Sequence, residues 1–83
     1  MQIDVVWDLD EDPHGNVQHV AEHGLTKDDV VYVLNNPDRH GTSRSSGWPM
    51  VWGYTAADVY IAVVYEEIDD DRVYPVTAFV VED

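Results

Sequence analysis

Seven consecutive residues, Val59-Tyr60-Ile61-Ala62-Val63-Val64-Tyr65, are apolar at both odd and even positions. A half-buried strand alternates, so a run apolar on both parities predicts a central strand covered on both faces and forming the core of a sheet. The rest of the chain has to supply that cover. Its 83 residues can bury only about 60–65% of the surface the unfolded form exposes, so a single small domain is expected. With 45% hydrophobic residues, three Trp and five Tyr, it has enough apolar surface for a core and is not a disordered tail.

The remaining elements follow from local pattern. Ile3-Asp4-Val5-Val6-Trp7 reads as a strand ending in the acidic turn Asp8 to Pro13. From about Asn16, the spacing of Val17, Val20 and Ala21 predicts a helix of about two turns, closed by Gly24 as a left-handed cap. Thr26 offers an N-cap for a second helix, Asp29 completes a capping box and Leu25 can staple to Val30. Val30, Val31, Val33 and Leu34 would form its buried face, and Asn35-Asn36-Pro37 stops it. A strand around Arg39 to Arg44 then turns, through Gly47 and Pro49, into Met50 to Thr55. Ala56-Ala57-Asp58 is a tight turn, Glu66 to Arg72 a solvated hairpin connection, and Val73 to Val81 the last strand. The order is β-α-α-β-β-β-β, or has three late strands if the Arg39 segment is irregular.

Charge narrows the function classes. Seventeen acids against four Lys and Arg give −13, and protonating all four His leaves −9, beyond the magnitude of about 2–8 usual for a small domain. Nucleic acid and anionic membranes are therefore disfavoured. The distribution is uneven: Arg39 to Ala57 contains no acid and holds Arg39 and Arg44, whereas the other 64 residues carry all 17 acids against Lys27 and Arg72. An anionic ligand, if there is one, is expected in this +2 window rather than in the −15 remainder. No cysteine is present, no apolar run approaches the roughly 20 residues needed to span a bilayer, and Met1 to Trp7 lacks a basic leader, so a cytoplasmic protein is expected.

Several constellations can be weighed by chemistry. His19 and His23 share a helix face at i,i+4, but no third ligand is identifiable and no metal site is expected. Asp8, Asp10 and Asp12 imitate half of an EF-hand loop, yet Pro13 stands at the glycine position and His19 at the bidentate-glutamate position. Gly41 to Ser45 lacks the second glycine of a nucleophile elbow, and no phosphate-cradling or dinucleotide loop exists, so no cofactor is expected. Arg39, His40 and Arg44, with Trp52 or Tyr54 on the next strand, form the one set suited to a phosphodiester. Arg44 could stabilise the developing negative charge, His40 or His23 could transfer protons, and Arg39, Ser43, Trp52 and Tyr54 are candidate binding residues. The competing reading has the two arginines neutralising acidic neighbours through surface ion pairs.

Trp7-Asp8, His23-Gly24-Leu25-Thr26 before a helix ending in Asn-Pro, Ser43-Arg44-Ser45-Ser46-Gly47, Gly53-Tyr54-Thr55, Val63-Val64-Tyr65 and Val76-Thr77-Ala78 occur in an order and spacing that resembles the BrnT-like toxins of the RelE-like superfamily. The resemblance covers most of the chain. It implies an α+β fold, with two short helices packed on a four- to five-stranded, mainly antiparallel sheet, ribonuclease ancestry and an antitoxin-like protein partner. Three cationic features usual in such chains are missing: Glu22 stands for a lysine before His23-Gly24, Phe79 follows Ala78 in place of an arginine, and Val80-Val81-Glu82-Asp83 replaces a basic helix. The expectation is thus a toxin-fold protein acting through a protein partner, with ribonuclease activity weakened or lost. An active metal-independent ribonuclease is the alternative, and a free-standing small-ligand or metal-binding domain a third.

Overall fold

The computed structural model describes residues 3–81. Its elements are β1 (Asp4–Val5), α1 (Asn16–Glu22), α2 (Lys27–Asn35), β2 (Arg39–Thr42), β3 (Pro49–Tyr54), β4 (Tyr60–Asp69) and β5 (Arg72–Val80). The strands form one sheet in the spatial order β1-β5-β4-β3-β2, with β1 parallel to β5 and every other pairing antiparallel. The class is α+β with a mixed sheet, and the Arg39 segment is regular enough to make the fifth strand. Among the described residues no helix is long and apolar enough to cross a membrane.

β4 lies at the centre of the sheet, and its two parities serve two different clusters. Ile61 and Val63 are fully buried among Val20, Val30, Val33 and Leu34 of the helices and Val51 and Ala78 of the neighbouring strands. α1 packs on β5 and α2 on β3 and β4, so both helices cover this same face. Ala62 and Val64 belong to a smaller cluster with Met50, against which Trp52 and Val81 pack. No helix contributes to that second cluster. Both parities are buried from Ile61 to Val64, but Val59, expected in the strand, is exposed and precedes it, and on the second face the cover comes from neighbouring side chains of the sheet itself.

Helix ends are fixed by short-range hydrogen bonds. Gly24 has φ +77°, its N–H donates to Ala21 O, and the Leu25 N–H donates to Val20 O, the paired bonds of a Schellman stop that glycine enters without steric cost. Leu25 is buried in the helix-side core with Val30, where a staple across the start of α2 would place it. Thr26 Oγ1 accepts from Asp29 N at 3.2 Å, and Asp29 Oδ2 accepts from Thr26 N at 3.0 Å. Such a cap stabilises by about 1 kcal/mol.

Four expectations require correction. The first strand is only Asp4–Val5, because β1 pairs with β5 over Arg72 and Val73 alone; Trp7 is half-buried against the core from the loop beyond. Val31 is half-buried rather than part of the α2 core face, which consists of Val30, Val33 and Leu34. The Arg39 strand stops at Thr42, leaving Ser43 and Arg44 in the turn before β3. The acidic connection is shorter than expected: Glu66 to Asp69 are exposed residues of β4, and only Asp70 and Asp71 make the turn. The acids stay in water while their backbone pairs with β5, and Asp69 meets Arg72 at 2.7 Å across the turn. A register shift between Val64 and Tyr65 falls where Pro75, which has no N–H to donate, lies opposite Tyr65.

Candidate functional site

A groove of about 480 Å³ opens on the sheet face away from the helices. Its floor is one cross-strand row, Met50 opposite Val64 and Val64 opposite Thr77, so strand register alone assembles it. Trp48 and the turn Ser43 to Ser46 wall one side, and Val76 and Phe79 the other. The turn is held by Gly47 N donating to Ser43 O and Ser43 N donating to Trp48 O. Ser43 Oγ lies 3.3 Å from Ser45 Oγ, and Ser46 Oγ accepts from Trp48 N at 3.3 Å. Trp48 and Phe79 remain 39% and 36% exposed, so the aromatic walls are available to a ligand.

The adjoining row carries Arg39 opposite Trp52 and Trp52 opposite Ala62. The Arg39 guanidinium carbon sits 4.5 Å from the Trp52 ring centroid, a cation–π contact worth about 0.5–1 kcal/mol at an exposed site. The indole also lies over Gly41, where a Cβ would come within 2.8 Å of the ring, so this position admits no side chain without displacing Trp52. Neither Arg39 nor Arg44 has a carboxylate within ion-pair distance among the described residues; the ion pairs found are Lys27 with Asp10 and Arg72 with Asp69. The two cations of the acidic body are therefore paired, while those of the acid-free window have no such partner among the described residues. Among the described residues, the reading of Arg39 and Arg44 as surface ion-pair partners therefore finds no support.

The fold divides the sequence-derived site residues. Arg44 and Ser43 line the groove, with Arg39 and Trp52 one row away on the same face. His40 lies between Arg39 and Gly41 and opposite Val51 of the helix-side core, so strand alternation places it on the other face. His23 caps the C-terminus of α1, in the helix layer. Tyr54 is exposed and packs its ring on Tyr60 at 4.7 Å, beyond the groove lining. Among the described residues no cluster of three or more His, Cys, Asp and Glu could hold a metal ion. Sequence reasoning missed Ser45, Ser46 and Trp48 around the turn and Met50, Val64, Val76, Thr77 and Phe79 on the strands as site residues; the one available signal for the floor was the apolarity of β4 on its outer parity.

The acidic loop after β1 is exposed at Leu9, Asp10 and Glu11, but Asp8 and Asn16 tie its two ends into the fold. Asn16 is 2% exposed: its Oδ1 accepts from Asp8 N at 2.9 Å, and its Nδ2 donates to Val6 O and Pro75 O at 3.0 Å. Asp8 Oδ2 in turn accepts from Asn16 N and from the Tyr74 hydroxyl. The hydrogen bond from Tyr74, followed by that from Asn16, holds the Asp8 carboxyl below the ordinary carboxylate range. The same bond to Asp8, aided by burial and then by the charges of Asp8, Asp12 and Glu66, pushes Tyr74 up to about 12. The depressed Asp8 contributes stability that is present above the unfolded carboxylate value and lost as pH falls through the folded one. The raised Tyr74 contributes stability that is full below the ordinary tyrosine value of 10.0 and lost as pH climbs toward about 12. Tyrosinate absorbance should therefore show Tyr74 ionising last, together with unfolding, and Tyr74→Phe should remove that alkaline phase and shift acid unfolding to higher pH. An alkaline titration unchanged by Tyr74→Phe would contradict this coupling.

Comparison with family models, with curated proteins and with solved structures finds no match for the chain.

Proposed function

We propose that this chain is a small binding module on a BrnT-like, RelE-like toxin scaffold, working in the cytoplasm within a toxin–antitoxin type system through a protein partner, with ribonuclease activity weakened or lost. The observation that carries the reading is the sheet face away from the helices. There an apolar groove with exposed aromatic walls adjoins the acid-free window, whose two arginines have no carboxylate partner among the described residues. The resemblance supplies the scaffold and the antitoxin-like character of the partner; the groove supplies the surface. The dispersal of the acid–base candidates supports weakened catalysis, since Arg44 lies on one sheet face and His40 and His23 on the side of the helices. Metal-free cleavage of RNA needs a base, an acid and a charge stabiliser converging on one phosphate.

Electrostatics supports the same conclusion. Two phosphate contacts on a single strand give a salt slope of only about −1.4, at about −0.7 each, so attraction to RNA is weak and easily screened. Incubating RNA with the wild-type chain, Arg44→Ala and His23→Ala, with and without translating ribosomes, should give slow cleavage or none in every case. Efficient cleavage abolished by Arg44→Ala would establish the active ribonuclease instead.

A further inference from the structure

Building on the partner-binding reading, we infer that the groove takes a short acidic, aromatic segment of the partner protein, its ring over the row Met50–Val64–Thr77 and its carboxylate on Arg44. The floor is apolar, and an aromatic side chain buries about 150–250 Å² when it fills such a site. Trp48 and Phe79 stand on opposite walls and offer ring contacts from both sides.

The charge pattern selects the flanking group. Among the described residues no acid lines the groove, and none lies anywhere from Arg39 to Ala57, so a carboxylate entering there meets no like charge from that lining. Arg44 is the cation in the lining, and a guanidinium binds a carboxylate through two parallel N–H bonds. Ser45 and Ser46 stand beside Arg44 in the same wall and can donate their hydroxyls to a second oxygen or to the segment's backbone. Arg39, held on Trp52 one row away, is placed for a further carboxylate of the same segment.

Other occupants fit less well. A polynucleotide would bring a charge at every residue to a body of net −13, with two cations to receive it. A second copy of the chain would bring another −13 to the contact. A segment with one or two carboxylates and a large ring matches both the number of cations and the apolar floor.

The test is an amide-resonance titration of the folded chain with blocked peptides. The probes are acetyl-Asp-Phe-Leu-Glu-amide, its amide isostere with Asn and Gln for the two acids, the ring-less acetyl-Asp-Ala-Ala-Glu-amide, and a single-stranded oligouridylate. The first peptide should move resonances of Ser43 to Met50 and Val76 to Phe79, and should bind about ten-fold more tightly than the isostere, the loss expected for one charge-assisted contact. Arg44→Gln, in an exposed turn, should cut that difference without weakening the isostere, Arg44→Gln with Arg39→Gln should erase it, and Phe79→Ser should weaken both acidic and isosteric peptides. Equal binding of acidic and isosteric peptides, equal binding of the ring-less peptide, or shifts confined to the helices would overturn the assignment. So would preferential binding of the oligouridylate, or the same resonances moving on concentrating the chain alone. The two readings fail separately: peptide failure with RNA left intact removes this occupant only, whereas RNA cleavage removes the partner-binding reading beneath it.

Discussion

Replacing Asn16 with Ala should destabilise the fold by about 3–4 kcal/mol, the largest loss expected from any single polar side chain in this protein. Truncation leaves Asp8 N, Val6 O and Pro75 O without the partner that now joins the loop after β1, helix α1 and strand β5. An unsatisfied buried group costs about 1–3 kcal/mol, and water can relieve those nearest the surface, which brings the sum below the arithmetic maximum. A domain of this size has about 4–12 kcal/mol of stability in total, so the variant should be only marginally folded. Asn16→Asp should do no better. It retains an acceptor for Asp8 N but loses the donor to two carbonyls and sets a second carboxylate beside Asp8. Urea denaturation of both variants against wild type measures the effect; a loss under 1 kcal/mol for Asn16→Ala would show that the network contributes little.

The two faces of the sheet should respond unequally to substitution. Ile61→Ala removes a fully buried side chain from the helix-side core and should cost about 3–4 kcal/mol, from lost burial and the cavity left behind. Phe79→Ser, opposite Ala62 on the groove face, removes more apolar atoms but should cost only about 1 kcal/mol, because the ring is 36% exposed and no second layer packs over it. The contrast separates residues that hold the fold from residues kept apolar for another reason. Comparable losses in the two variants, measured by thermal and urea unfolding, would mean that the groove face is ordinary core.

Legibility in the sequence followed the range of the interactions. The Thr26–Asp29 box and the Gly24 stop were readable because their hydrogen bonds close within a few residues of chain. The central strand was readable because parity reports burial on two faces before any partner strand is known. Asn16 was read only as the start of a helix, since its role depends on Pro75, 59 positions away. The groove was half visible. Arg44 and Ser43 stand out by charge and by their place in the acid-free window, but Val76, Thr77 and Phe79 join them only through the register of β5 on β4. That register turns on the shift beside Pro75, which no local pattern specifies. The same alternation separates His40 from Arg39, although the two are adjacent in sequence.

The central claim is that the sheet face away from the helices is a protein-docking surface. Hydroxyl-radical footprinting of the chain, alone and co-expressed with the product of the adjacent reading frame, tests it most directly. Trp48 and Phe79 should lose reactivity in the complex, whereas exposed Leu9 and Tyr32, on the acidic loop and on α2, should keep theirs. Protection of Leu9 and Tyr32 with Trp48 and Phe79 still reactive, or no complex at all, would contradict the claim.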